Sequence, residues 1–199
     1  MLVEEAMTPA RVVLTPDMPV QAAAAALVEN GLIAAPVVDD AGVLAGIVTE
    51  IDLLRDRFEP DPRASARPVA EPEGAPPQTV SQVMTRAVVT TTENSDVAEL
   101  SERMVHSRIR TVPVLRAGRV VGMVGRGDLL RAHTRTDEQI HADLVDALAN
   151  SGPYLHGWKI RVHNGVARLT GGGTAPDEHL VATIARTVPG VARVVIERT

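Results

Sequence analysis

The sequence predicts a mixed α+β chain: two pseudo-symmetric βαββα repeats packed together, followed by a small αββαβ unit. Three observations lead there. One pattern recurs 77 positions further on with a single deletion, a proline-rich stretch separates its two copies, and the last third carries an unrelated helix–hairpin–helix–strand pattern.

Met7-Thr8 returns as Met84-Thr85, and Pro36-Val37 returns as Pro113-Val114. One residue is then lost where Asp39-Asp40-Ala41-Gly42 becomes Arg116-Ala117-Gly118. Gly46-Ile47-Val48-Thr49-Glu50-Ile51-Asp52-Leu53-Leu54-Arg55 afterwards matches Gly122-Met123-Val124-Gly125-Arg126-Gly127-Asp128-Leu129-Leu130-Arg131 at an offset of 76. A deletion inside a Gly-containing turn between two apolar runs is what a β-hairpin tolerates.

In the first copy, Val12 to Leu14 reads as a short strand and Thr15-Pro16-Asp17 as its turn. Pro19 opens a helix where its missing N–H costs nothing. The alanines carry that helix to Glu29, and Gly31 stops it. Pro36 to Asp39 and Val43 to Val48 form the hairpin, and a last helix begins near Thr49. The second copy repeats the order from Val88 to about His133. Glu59 to Gln78 holds six of the 14 prolines and reads as a semi-rigid solvated linker. A repeat of roughly 50 residues is marginal in core size by itself, so the two are expected to pack together.

The doubled pattern Met-Thr, strand, helix, Pro-Val, Gly-apolar-apolar-Thr-x-x-Asp-Leu-Leu resembles the CBS domain, and the tandem resembles a CBS pair over residues 1–133. The resemblance implies the fold, a homodimer formed through the pair, and two ligand clefts. Related modules take adenosine compounds such as AMP, ATP, NADH or S-adenosylmethionine there.

Thr136-x-x-Gln139 is a capping-box pattern opening a helix with Ile140, Leu144, Ala147 and Leu148 on one face. Ser151-Gly152-Pro153 ends it. Trp158 to Val162 alternates, Asn164-Gly165 is a strong hairpin signal, and Val166 to Thr170 returns. Pro176 to Thr187 reads as a helix, and Ala192 to Glu197 as the closing strand. Over residues 136–197 this order, with the closing Pro189-Gly190-Val191 and Val194, resembles the BON domain, which implies an anionic phospholipid or protein partner. The expected divisions are 1–58, 59–78, 79–135 and 136–199.

The chain of 199 residues is 45% hydrophobic and 23% charged, with a net charge of −5, as for a globular protein. Aromatics are 2%, which argues against base stacking on aromatic platforms. The acidic total makes nucleic acid the weaker partner class. There is no cysteine, so thiolate and disulfide chemistry are excluded. The N-terminus lacks a basic stretch followed by an apolar one, and a cytoplasmic address is expected.

Asp52 and Asp128 open the last helix of each repeat. The resemblance assigns this Asp to a ribose, with Thr49 beside the ligand; the bare spacing Thr49-x-x-Asp52 equally describes a helix cap. Gly125 stands in place of that threonine, so the two sites should not be equivalent. Residues 108–135 hold seven arginines (108, 110, 116, 119, 126, 131 and 135) against Asp128, net +6, whereas residues 31–58 are net −3. Arginine forks suit phosphate oxygens, or simply a solvated face. Arg110 sits where the family often carries a phosphate-contacting base, and Arg126 is grouped with it. Thr15 and Thr92, equivalent residues, are ligand contacts or turn hydroxyls. Gly171-Gly172-Gly173-Thr174 lacks phosphate-loop spacing and reads as a flexible turn, and the histidines lack metal-ligand spacing. No catalytic constellation is visible, and neither a catalytic cofactor nor a metal is expected.

Together these readings give a regulatory protein, not an enzyme. The resemblance implies an AMP-, ADP- or ATP-like ligand between the repeats, and its occupancy is expected to be relayed to the BON-like unit. The competing reading is a dimeric tether whose arginine face or BON-like unit binds anionic lipid, nucleic acid or a protein.

Overall fold

The computed structural model describes residues 1–55, 57–58, 61, 63, 75–132, 134–152 and 157–198. Most of the linker expected at 59–78, together with His133, Pro153 and His156, lies outside the described residues. The first repeat contains α1 (Val3–Ala6), β1 (Thr8–Pro9), α2 (Val20–Glu29), β2 (Ala34–Val38), β3 (Leu44–Thr49) and α3 (Glu50–Leu54). The second contains α4 (Val80–Val83), β4 (Thr91–Thr92), α5 (Val97–His106), β5 (Thr111–Arg116), β6 (Arg119–Gly125) and α6 (Arg126–Ala132). Then follow α7 (Asp137–Asn150), β7 (Lys159–His163), β8 (Val166–Gly171), α8 (Ala175–Thr187) and β9 (Arg193–Arg198).

By contact, the chain divides into two compact units. One joins Met1–Met7, Asn94–Arg110 and Val124–Thr199; the other joins Thr8–Glu93 and Thr111–Met123.

In the second of these units, α2 forms because alanine costs least in a helix. Its Val20, Ala23 and Leu27 fall on one face and are buried with Leu14, Val37, Val48 and Leu53. Gly31, at φ +61°, ends the helix as its position suggests. The hairpin β2–β3 is antiparallel, with Asp39 Oδ1 accepting from the N–H groups of Ala41 and Val43 to shape its turn. A further sheet runs in the order β1-β6-β5-β4.

The strand expected at Val12–Leu14 shrinks to one bridge, Leu14 to Val37. Its physical cause is Pro16, which has no N–H to extend the ladder. Glu93 occupies the matching place in the second repeat, and there β4 pairs in parallel with β5 over two residues.

The short helices α1 and α4, which the periodicity does not announce, are exchanged between the repeats. Within one unit, Val3 N–H donates to Ser95 O at 3.0 Å and Val97 N–H to Met1 O at 3.1 Å. Within the other, Val80 N–H donates to Met18 O and Val20 N–H to Gln78 O, both at 2.9 Å. These are the same bonds with the repeats interchanged. Val80 and Met84 accordingly lie in the buried cluster of the first repeat. Thr85 pairs with Ile47, as Thr8 pairs with Met123.

The C-terminal elements follow the expected αββαβ order. Thr136 and Gln139 close the capping box of α7, whose Ile140, Leu144 and Leu148 are buried. β7 and β8 are antiparallel around Asn164 (φ 50°) and Gly165 (φ 71°), the backbone that two-residue hairpins require, while β8 and β9 are parallel. α8 covers them through Val181, Ala182 and Ala185. Of the glycine run expected to be a flexible turn, the first residue belongs instead to a strand. Gly171 lies within β8, and an added Cβ there would come within 2.6 Å of the Trp158 ring. Only Gly172 has open space around it among the three.

Candidate functional site

At the end of β3 the backbone of Thr49 is extended and becomes the N-cap of α3. The Thr49 N–H donates to Asp52 Oδ2 at 2.9 Å, and its hydroxyl donates to the same oxygen at 2.7 Å. Asp52 N–H returns a longer bond to Thr49 Oγ1, 3.4 Å. The cap is therefore real. It engages one oxygen only, and Asp52 Oδ1 has no partner among the described residues. Asp52 is half-buried, so a fixed carboxylate keeps one acceptor oxygen at a partly solvated position.

The second repeat builds the same corner differently. Gly125 N–H donates to Asp128 Oδ2 at 2.7 Å. Half of the box thus survives the loss of the threonine: the backbone donor does not depend on the side chain, and only the hydroxyl is missing. Asp128 Oδ1 is taken by Arg131, and its side chain is 11% exposed. The two aspartates are not equivalent: one oxygen is open in the first corner, and both are engaged in the second.

Arg126 N–H donates to Arg110 O at 3.0 Å, and Arg126 Nε donates to Ile109 O at 3.0 Å. The first repeat repeats the backbone bond, from Glu50 N–H to Ile33 O at 3.1 Å. Arg110 and Arg126 are thus neighbours at one corner, both exposed, with Asp128 two residues along α6 from Arg126. Thr15 is half-buried beyond the Leu14 bridge, and Thr92 is exposed in β4 opposite Leu115. Thr15, Thr49, Asp52 and Thr92 fall in one compact unit, and Arg110, Arg126 and Asp128 in the other.

The arginine-rich segment is less free than its net charge suggests. Arg116 pairs with Glu93, Arg131 with Asp128 and Arg135 with Asp143. The acids that neutralise Arg116 and Arg135 lie outside the 108–135 window, which is why a local charge count misses them.

Sequence reasoning also missed Thr91 and Thr111. Both hydroxyls are buried and unpartnered. Their counterparts in the first repeat are the apolar Leu14 and Ala34, so the exchange of an apolar residue for a hydroxyl between aligned repeats was the readable signal. A buried hydroxyl without a partner costs free energy unless a water or ligand satisfies it.

The two corners, built alike at an offset of 76 to 77 residues, match a known pattern: the CBS domain profile fits residues 3–59 and 80–135. The chain belongs to the CBS-domain family. Its CBS pair is 30% identical over 128 residues to the CBS domain-containing protein YhcV of Bacillus subtilis, covering 64% of this chain and 81% of that one. Among solved structures it is similar to the CBS domain pair of protein MJ0100, in complex with 5′-methylthioadenosine and S-adenosyl-L-methionine. That match has 26% identity and a TM-score of 0.53, over 66% of this chain and 94% of that one. The CBS-domain containing protein ATU1752 from Agrobacterium tumefaciens is 31% identical with a TM-score of 0.52, over 66% of this chain and 98% of that one. No helix among the described residues is long and apolar enough to cross a membrane.

Proposed function

We propose that this protein is a regulatory sensor whose CBS pair binds an adenosine-containing ligand. The observation that carries this reading is the Asp52 corner, where capping holds the carboxylate and leaves Oδ1 available to a ribose hydroxyl. The adenosine compounds held by the MJ0100 pair support the ligand class. In the second repeat, Arg110 and the free end of the Arg126 guanidinium meet phosphate oxygens. Asp128 contacts the ribose only if Arg131 releases it. The first corner therefore takes the less anionic ligand, and the second an AMP-, ADP- or ATP-like one.

The divisions 1–58, 59–78, 79–135 and 136–199 describe a CBS pair, its linker and a BON-like unit that receives the signal. Val28 and Val105, equivalent residues, are 81% and 69% exposed, and Leu54 and Leu130 are 57% and 65% exposed. Apolar side chains repeated on the outer helices support a homodimer. The tethering alternative would rest on the BON-like unit or on Arg108, Arg110, Arg119 and Arg126, since Arg116, Arg131 and Arg135 pair with carboxylates.

A thermal-shift panel of AMP, ADP, ATP, NADH and S-adenosylmethionine tests the reading on wild type, Asp52→Ala and Arg110→Ala. A ligand at 100 times its Kd stabilises by about 2.7 kcal/mol, a shift of several degrees. A flat panel sinks the sensor reading.

A further inference from the structure

The sheet β7-β8-β9 carries α7 and α8 on one face. Ile160, Val162, Leu169, Val194 and Ile196 point to that face and pack in its apolar cluster. Side chains alternate along a strand, so the residues between them stand on the opposite face. There Lys159, Arg161, Arg168 and Arg193 are all exposed, and Glu197 is the single acid of the three strands.

Strand register sets these cations in a line. Lys159 pairs with Thr170, Arg161 lies directly opposite Arg168, and Val166 lies opposite both His163 and Arg193. Lys159, Arg161, Arg168 and Arg193 therefore form a diagonal band across the three strands, about 16 Å long for a strand spacing of ~4.8 Å and a rise of ~3.3 Å per residue. Like charges set directly opposite destabilise a sheet, so the Arg161–Arg168 pair is a cost that the fold carries. Glu197 relieves one side of it, accepting from Arg168 Nη1 at 2.8 Å. Lys159, Arg161 and Arg193 make no ion pair among the described residues. Six of the seven acids in residues 136–199 lie on α7 and α8, so the acidic total of the chain conceals a basic sheet face.

We propose that this face binds the phosphodiester backbone of a nucleic-acid duplex, without sequence preference. A line of cations matches a linear array of phosphates, and three of the four are arginines, whose forks suit phosphate oxygens. At ~3.4 Å per phosphate along one strand, the band covers about four or five phosphates. The strand residues include no aromatic, so bases have nothing to stack on and the backbone carries the contact. The apolar strand residues on this face, Val166 and Val195, are half-buried, so neither is placed to enter a bilayer. The proposal does not rest on the adenosine reading of the CBS pair.

The test is fluorescence anisotropy of a labelled DNA duplex of mixed sequence, titrated with the full chain over a series of salt concentrations. Saturable binding with a Kd of about 1 to 100 μM is expected near physiological salt, and log K should fall against log salt with a slope of about −3. A duplex of unrelated sequence should bind within about twofold. Arg161→Gln and Arg193→Gln should each weaken binding about threefold or more and reduce the slope by about 1. Arg161→Gln should also melt at or slightly above the wild-type temperature, since it removes a like-charge pair. Glu197→Gln frees Arg168 and should tighten binding, which the loss of a merely structural ion pair would not do. Absence of saturable binding at low salt overturns the proposal, as do affinities unchanged in all three variants. Equal affinity for phosphatidylglycerol vesicles assigns the face to a membrane, equal affinity for polyglutamate assigns it to an acidic protein, and in either case the nucleic acid falls. Binding lost in Arg110→Gln but kept in Arg161→Gln puts the duplex on the CBS pair and overturns the sheet face.

Discussion

Arg126 donates its backbone N–H to the carbonyl of Arg110 across 3.0 Å, and this bond fixes two arginines at one corner of the second CBS repeat. The equivalent bond in the first repeat joins Glu50 to Ile33. The scaffold is therefore shared, and the charge it presents is reversed.

Because the Arg110 carbonyl makes the bond, its exposed side chain is dispensable to the fold. Arg110→Ala should leave stability within about 0.5 kcal/mol of wild type. It should weaken any phosphate-bearing ligand while sparing an uncharged adenosine such as 5′-methylthioadenosine. Parallel thermal melts and titrations with AMP and 5′-methylthioadenosine separate these effects.

At the Asp52 corner, cap and ligand roles can be divided by chemistry. Thr49→Ala removes the hydroxyl from the box and should cost about 1 kcal/mol in urea unfolding. Asp52→Asn keeps an acceptor for the Thr49 N–H and should cost less. It should nevertheless abolish the adenosine-dependent shift. A full shift surviving in Asp52→Asn would show that the carboxylate is a cap and nothing more.

Asp137 clamps the hairpin, accepting from Asn164 N–H at 2.8 Å and Gly165 N–H at 3.0 Å. These donors, Gly165 first and then Asn164, hold its carboxyl below the ordinary carboxylate range. A lowered folded-state pKa means the contribution is complete above the unfolded-state value and is lost as pH falls through the folded-state value. The melting temperatures of wild type and Asp137→Asn should therefore differ at neutral pH and converge in acid. A constant gap across that range would contradict the clamp.

Gly171 and Gly172 provide a matched pair. Gly171→Ala drives a Cβ against the Trp158 ring and should destabilise by about 1 to 3 kcal/mol. Gly172 is exposed with nothing within 4 Å of an added Cβ, so Gly172→Ala should fall within about 0.5 kcal/mol of wild type. Urea unfolding followed by Trp158 fluorescence reads both.

Much of the local structure was legible because it depends on near neighbours. Gly31, the Thr136–Gln139 box and the Asn164-Gly165 turn each act within a few residues, and their chemistry appears in the letters. The strand at Val12–Leu14 was overread because its apolar run says where a strand can form, while Pro16 withholds the N–H that would extend the ladder past Leu14. The Thr49–Asp52 spacing identified the corner, but only coordinates reveal that the cap consumes a single oxygen.

The sequence by itself determined the doubled repeat, the order of elements and the glycines and caps that end them, since these follow from period, turn chemistry and capping over short spans. Tertiary structure alone decided the exchange of α1 and α4 between the repeats, the pairing of Arg116 and Arg135 with distant acids, and the packing of Gly171 on Trp158. Each joins residues that are brought together by burial of apolar surface and by the path of the chain between elements, and no local pattern encodes which partner waits there.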